Sequence, residues 1–110
     1  MHELAITESI VAAVVERMAD TPVWRVRLEI GRLSGVVPDA VRFCFELVAA
    51  GTTLEGAVLD IDEPGGRVAC HRCAAEFDSD DVVALCPCGS ADVELVAGRE
   101  LRIRSVEVAA

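Results

Sequence analysis

The stretch RVACHRCAAEFDSDDVVALCPCGSAD, running from Arg67 to Asp92, decides the architecture of this chain. It holds four cysteines in the pattern Cys70-x2-Cys73-x12-Cys86-x-Cys88 and few large apolar groups. Burial alone cannot hold so short a segment together, so it needs a cross-link, and a metal is the natural staple. Four thiolates from two tight turns can surround one Zn²⁺ tetrahedrally and leave no open position, which predicts a structural site. Two pairs at this separation argue against a chance origin. The Cys86-x-Cys88 arm is one residue shorter than the usual spacing, which predicts slightly strained ligation there.

Two other readings fit the same cysteines. A redox dithiol needs a reactive Cys-x-x-Cys at a helix start in electropositive surroundings. Here Arg67 and Arg72 face Glu76, Asp78, Asp80, Asp81 and Asp92, and excess negative charge raises thiol pKa values. A zinc ribbon that binds nucleic acid is opposed by the same acidity. His71 reads as an exposed spacer rather than a substitute ligand. Cys44 reads as a small buried hydrophobe with no chemical role.

Outward from this segment the pattern changes. Glu63-Pro64-Gly65-Gly66 is a turn and the expected domain boundary. Upstream, Leu4, Ile6, Ile10, Ala13, Val14 and Met18 recur at helical spacing, predicting a helix over 4–19 that Asp20-Thr21-Pro22 stops. Trp24, Val26, Leu28 and Ile30 alternate with Arg25, Arg27 and Glu29 as in a half-buried strand. After a loop over 31–37, Pro38 and Asp39 suit the start of a second helix over 38–50, with Val41, Cys44, Phe45 and Val48 on one face. Arg42 and Glu46 are spaced for an ion pair on another face, and Gly51 for a C-terminal cap. Ala57, Leu59 and Ile61 alternate in a second strand. Downstream, Val93 with Leu95, and Leu101 with Ile103, predict two strands that return to the main sheet across a turn at Ala97-Gly98. The inward register shifts between Ile103 and Val106, which predicts a bulge near Arg104-Ser105.

The fold class is therefore α+β, with two helices packed on a small, mainly antiparallel sheet and an inserted four-cysteine module like a zinc ribbon. Residues 1–66 and 93–110 form one expected domain and 67–92 the other.

Composition narrows the function. Hydrophobic residues make up 53% of the 110, enough for a core, yet aromatics are 4%, so aliphatic packing dominates. Ten Arg against nineteen acidic residues give a net charge of -9, the wrong sign for a nucleic-acid partner. No secretion signal and no apolar run long enough for a membrane span are visible, so a cytoplasmic protein is expected. His2 and His71 are the two histidines, and neither sits in a nucleophile-and-base arrangement. No phosphate-binding glycine loop appears. An enzyme is not expected.

Met1-His2-Glu3 carries separate chemistry. The Met1 α-amine, the following backbone nitrogens and the His2 imidazole can close small chelate rings around one divalent ion. Such a nitrogen-rich set suits Ni(II) or Cu(II), whereas zinc prefers tetrahedral sites. The plainer alternative is that His2 is simply the second residue. Asp39 likewise reads either as a carboxylate near a ligand or as a favourable charge at a helix start.

Met1-His2-Glu3, Glu29-Ile30-Gly31, Pro38 to Phe45, Gly51-Thr52, the paired cysteines with Cys88-Gly89-Ser90, and Glu100-Leu101-Arg102-Ile103 together resemble the HypA/HybF family of hydrogenase maturation proteins. The resemblance spans nearly the whole chain. It implies a nickel metallochaperone that delivers Ni(II) to a [NiFe] hydrogenase large subunit precursor, working with a nickel-handling GTPase, and leaves urease open as a further destination. By position, it makes His2 the essential nickel ligand, Glu3 a source of backbone nitrogen and orientation, and Asp39 an auxiliary carboxylate. Cys70, Cys73, Cys86 and Cys88 become ligands of a structural Zn(II). The departure from the family pattern is the short Cys86-Pro87-Cys88 arm. A zinc-stapled interaction module without metal transfer, and a redox dithiol protein, are the competing functions.

Overall fold

A computed structural model describes residues 2–81 and 83–108 of the chain. The elements run α1 (Glu3–Met18), β1 (Val23–Ile30), α2 (Pro38–Ala49), β2 (Val58–Asp62), β3 (Arg67–Cys70), β4 (Glu76–Asp78), β5 (Val93–Ala97) and β6 (Leu101–Val108). They build two three-stranded sheets, β2-β1-β6 and β4-β3-β5. Of the four strand pairings, only β1 with β2 is parallel. The fold is the expected α+β arrangement of two helices, small sheets and a four-cysteine module.

β1 is the central strand of the first sheet and supplies the middle of the core. Val26, Leu28 and Ile30 are buried against Val11 and Val14 of α1, Val41 and Phe45 of α2, and Leu54. Alternation sends the intervening side chains to the other face, where charges replace apolar packing. There Arg25 meets Asp60 and Glu107, Arg27 meets Asp60, and Glu29 receives Arg102 and Arg104. α1 also buries Thr7, whose hydroxyl donates to the Glu3 carbonyl at 2.7 Å, so its polar group is satisfied inside the helix.

Three local expectations are corrected. Trp24 is not inward: it is exposed, with the Arg25 guanidinium 4.9 Å from its ring centre, and Val23 is buried instead. A register shift between Val23 and Arg25 in the pairing with β6 turns Trp24 out of the alternation. Arg42 does not reach Glu46 but pairs with Asp39 at 2.6 Å, one turn back in α2. And Val93–Ala97 does not return to the helical sheet, because it pairs with β3 from Cys70 opposite Val93 onward. The cysteine turns dictate that: the His71 amide donates to the Asp92 carbonyl at 3.0 Å, so the chain leaves the second turn already beside β3. The bulge expected near Arg104 is present. Leu28 faces Ile103 and Arg27 faces Ser105, leaving Arg104 as the extra residue.

The two sheets meet at backbone level. Gly31 donates to the Glu100 carbonyl at 2.7 Å, Arg32 to Pro64 at 2.9 Å and Leu33 to Gly98 at 2.8 Å. A Cβ on Gly31 would fall on the Gly98 carbonyl, and one on Gly66 on the Ser79 carbonyl, so glycine is what lets these segments touch.

Candidate metal centre

Two turns bring the cysteines together. In the first, β3 ends at Cys70, the Cys70 amide donates to the Ala75 carbonyl at 2.8 Å, and the Ala74 amide returns to Cys70 at 3.0 Å. Ala74 adopts a positive φ of 63° to close this turn. In the second, the Cys86 amide donates to Ser90 at 3.0 Å, the Gly89 amide to Cys86 at 2.8 Å, and Gly89 takes a φ of 92° that suits glycine. In each turn an amide also points at sulfur: Cys73 N–H at Cys70 Sγ and Cys88 N–H at Cys86 Sγ, both 3.5 Å.

The four Sγ atoms lie within 4.8 Å of one another. Cys70 to Cys88 is 3.8 Å and Cys73 to Cys86 is 3.5 Å. Four sulfurs about 2.3 Å from a central ion at tetrahedral angles are about 3.8 Å apart, so the donor set fits one Zn²⁺. The short Cys86-Pro87-Cys88 arm does deliver both of its thiols to the cluster. Cys70 and Cys86 are buried and Cys73 and Cys88 exposed, so one side of the cluster is open to solvent.

The thiols are electrostatically unequal. The Cys73 amide, chiefly, lowers Cys70 to about 6. Cys86 also receives an amide, from Cys88, but burial and the neighbouring Cys88, Cys73 and Cys70 thiols outweigh it and push Cys86 up to about 12. Four thiols packed this closely cannot all ionise unless a cation sits among them.

His71 points away from the sulfurs, as a spacer should. Its Nδ1 is 3.1 Å from Asp92 and its Nε2 3.2 Å from Glu94, an ion pair that links the first turn to β5 and raises the imidazole pKa, Asp92 contributing most. Cys44 is partly buried on α2, in line with a packing role.

At the other site, His2 is exposed and stands at the N-cap of α1, its carbonyl accepting the Ile6 amide at 3.1 Å. The Glu3 carboxylate accepts the Val37 amide at 3.1 Å, a contact that the sequence did not disclose, and this hydrogen bond lowers the Glu3 pKa. Asp39, in the first turn of α2, is held by Arg42. Glu3 thus ties the His2 corner to the start of α2, two residues before Asp39. Among the described residues, the four cysteines are the one group of three or more His, Cys, Asp or Glu ligand atoms that converge; His2, Glu3 and Asp39 do not form such a group. The Met1 amine lies outside the described residues.

The family model for HypA, described as hydrogenase/urease nickel incorporation, metallochaperone, matches residues 1–108. The chain belongs to the HypA family. It is 47% identical over 108 residues to the hydrogenase maturation factor HypA of a Nostoc species, covering 98% of this chain and 96% of that one. The HypA of Geobacter sulfurreducens is 47% identical over 109 residues, covering 98% and 99%. Among solved structures, the Ni metallochaperone HypA from Helicobacter pylori superposes with a TM-score of 0.69 at 25% identity, covering 100% of this chain and 99% of that one. These HypA relatives are named as maturation factors and a metallochaperone. Among the described residues, no helix is long and apolar enough to cross a membrane.

Proposed function

We propose that this chain carries Ni(II) at its N-terminus and delivers it to a [NiFe] hydrogenase precursor during maturation, while Zn(II) on Cys70, Cys73, Cys86 and Cys88 holds the second module together. His2 is the defining nickel ligand, Glu3 supplies backbone nitrogen and orientation, and Asp39 is an auxiliary carboxylate. The observation that carries this reading is the separation of two unlike metal chemistries in one HypA-family chain. An imidazole stands exposed at the head of α1, and four thiols cluster beyond a different sheet.

The physical logic is one of release. An exposed imidazole on the first turn of a helix can leave an ion one bond at a time, whereas four converging thiolates hold theirs. Nickel is cargo here and zinc is structure. The partners are a nickel-handling GTPase and the hydrogenase large subunit precursor, in the cytoplasm. In domain terms, 1–66 with 93–110 forms the nickel unit and 67–92 the zinc unit, with β5 as the strand that the zinc unit borrows on its exit.

Transfer is the test. Nickel-loaded, zinc-loaded protein is mixed with hydrogenase precursor and the nickel content of the reisolated precursor is measured. Wild type should load it and His2→Ala should not. Equal loading by both proteins would refute delivery from the N-terminus.

A further inference from the structure

Val26, Leu28 and Ile30 turn to the helical side of the β2-β1-β6 sheet, and the side chains on its other face stay open to water. There the Arg27, Arg102 and Arg104 side chains are 52%, 56% and 55% exposed, while Glu29 among them is 13% exposed. Guanidiniums therefore stand over a sunken carboxylate. Arg102 donates through Nε to Glu29 at 2.7 Å, but Arg104 is 3.6 Å from Glu29 and Arg27 is 3.8 Å from Asp60, too long for good hydrogen bonds. With five N–H donors on each guanidinium, the cluster keeps donors to spare. It is a cationic patch on a chain whose net charge is -9.

The other end of the same face is apolar. Trp24, the one tryptophan of the chain, is 48% exposed and lies with its ring centre 4.9 Å from the Arg25 guanidinium, so it shares the face of Arg25. Val58, opposite Arg25 on β2, is exposed beside it. Arg25 itself is spent on Asp60 and Glu107. Along β1 the face thus runs from Trp24 to the cluster around Glu29, five residues and about 17 Å away at the usual strand rise. Asp62, opposite Glu29 on β2, is the other carboxylate at the cationic end and lies on the side away from β6.

We propose that this face docks an acidic, extended segment of a partner protein, its carboxylates on Arg27, Arg102 and Arg104 and an apolar side chain on Trp24 and Val58. Guanidinium forks match carboxylates in geometry as well as charge, and Trp and Arg are the residues that dominate binding energy at protein interfaces. The bulge at Arg104 assembles the patch. It lets Arg102 and Arg104 both reach Glu29 while Glu107 stays on the same face with Arg25, which unbroken alternation would forbid. A phosphate would leave the Trp24 end unused, and a long nucleic acid would meet the net charge of the whole chain. A short acidic segment feels chiefly the groups within a Debye length of about 8 Å, which here are the guanidiniums. Docking on this face leaves the head of α1 uncovered, because α1 packs against the opposite side of the sheet.

NMR titration of the full, zinc-loaded and nickel-free chain tests this. The probe is a capped peptide of three glutamates, a Gly-Ser-Gly spacer and two leucines. It should shift the Nε–H resonances of Arg27, Arg102 and Arg104 and the indole N–H of Trp24, and bind more weakly as salt is raised. Arg27→Glu and Arg104→Glu should each weaken it about tenfold, since each sets like charges together. Trp24→Ala removes only an exposed ring and serves as the uncharged variant; it should also weaken binding, and thermal melts show that each variant is folded. A peptide with lysines in place of the glutamates should leave the spectrum unchanged. Shifts confined to other residues, or affinity indifferent to all three substitutions, overturn the proposal. Equal shifts from inorganic phosphate at matched ionic strength make the patch a general anion site and overturn it too. Movement of the same resonances on diluting the protein alone gives the face to a second copy instead.

Discussion

The Glu3 carboxylate accepts the backbone amide of Val37, joining the first turn of α1 to the residue before α2. Thirty-four positions separate the two in sequence, so the contact fixes the corner where His2 emerges. A lone first-turn carboxylate already suits the helix dipole, and here it also satisfies a backbone donor at the entrance of a second helix.

That contact has a pH signature in nickel-free protein. The folded-state pKa of Glu3 lies below the ordinary value, mainly because the Val37 amide favours the charged form. Its contribution to stability is therefore complete above the unfolded-state pKa and is lost as pH falls through the lowered folded value. A carboxyl NMR titration should place Glu3 below ordinary glutamates, and Glu3→Ala should speed hydrogen exchange at Val37. An ordinary titration with unchanged exchange would mean the contact is not made in solution.

Gly31→Ala should destabilise the junction between the sheets by about 1–3 kcal/mol, the usual scale for forced overpacking. The added methyl would land on the backbone of Gly98 and Arg99, which cannot rotate aside as a side chain would. Gly65→Ala is the control: its Cβ would meet only Asp80 Oδ1 at 3.7 Å, an ordinary contact, and the change should stay within about 0.5 kcal/mol. Urea unfolding of the two variants separates them, and equal midpoints would remove the close approach from the account.

Zinc binding should release protons at pH 7. Cys86, pushed up to about 12, holds its proton at that pH and must shed it to ligate, whereas Cys70 at about 6 is already mostly thiolate. The calorimetric enthalpy of zinc binding should therefore vary with the ionisation enthalpy of the buffer, and affinity should fall as pH falls. Cys70→Ala or Cys86→Ala should lose the zinc and loosen residues 67–92, for which metal binding is folding energy of about 10–16 kcal/mol in comparable small modules. The Val26, Leu28 and Phe45 core should persist. Cooperative unfolding of the whole chain on chelation would contradict a two-module protein.

Much of this was legible in the sequence because it rests on local periodicity and spacing. The β1 alternation, the helical faces of Val41 and Phe45, the Arg104 bulge and the cysteine pairs all declare themselves within a few residues. What stayed hidden depends on distant partners. Val93 and Leu95 alternate as any half-buried strand does, and no local feature says that Cys70 rather than β1 lies beside them. Trp24 looks inward until the β6 register shift is known. Glu3 and Val37 are unremarkable apart. The nickel corner was legible as chemistry at His2, but how Glu3 braces it against α2 was not.

Nickel binding should separate the roles of three residues. In zinc-loaded protein, His2→Ala should abolish specific Ni(II) binding, because no nearby side chain replaces the imidazole in the proposed set. Asp39→Ala should weaken binding less. Its carboxylate is already held by Arg42 at 2.6 Å, so recruiting it to nickel means giving up that ion pair. Arg42→Ala should accordingly free Asp39 and leave nickel affinity equal to or tighter than wild type, whereas a merely structural Asp39–Arg42 pair would make both substitutions behave alike. Binding should also weaken as pH falls, since the imidazole coordinates only without its proton. Calorimetric nickel titrations of wild type, His2→Ala, Asp39→Ala and Arg42→Ala at two pH values distinguish these outcomes. Wild-type affinity in His2→Ala would remove the N-terminal site and leave a zinc-stapled interaction module as the better description.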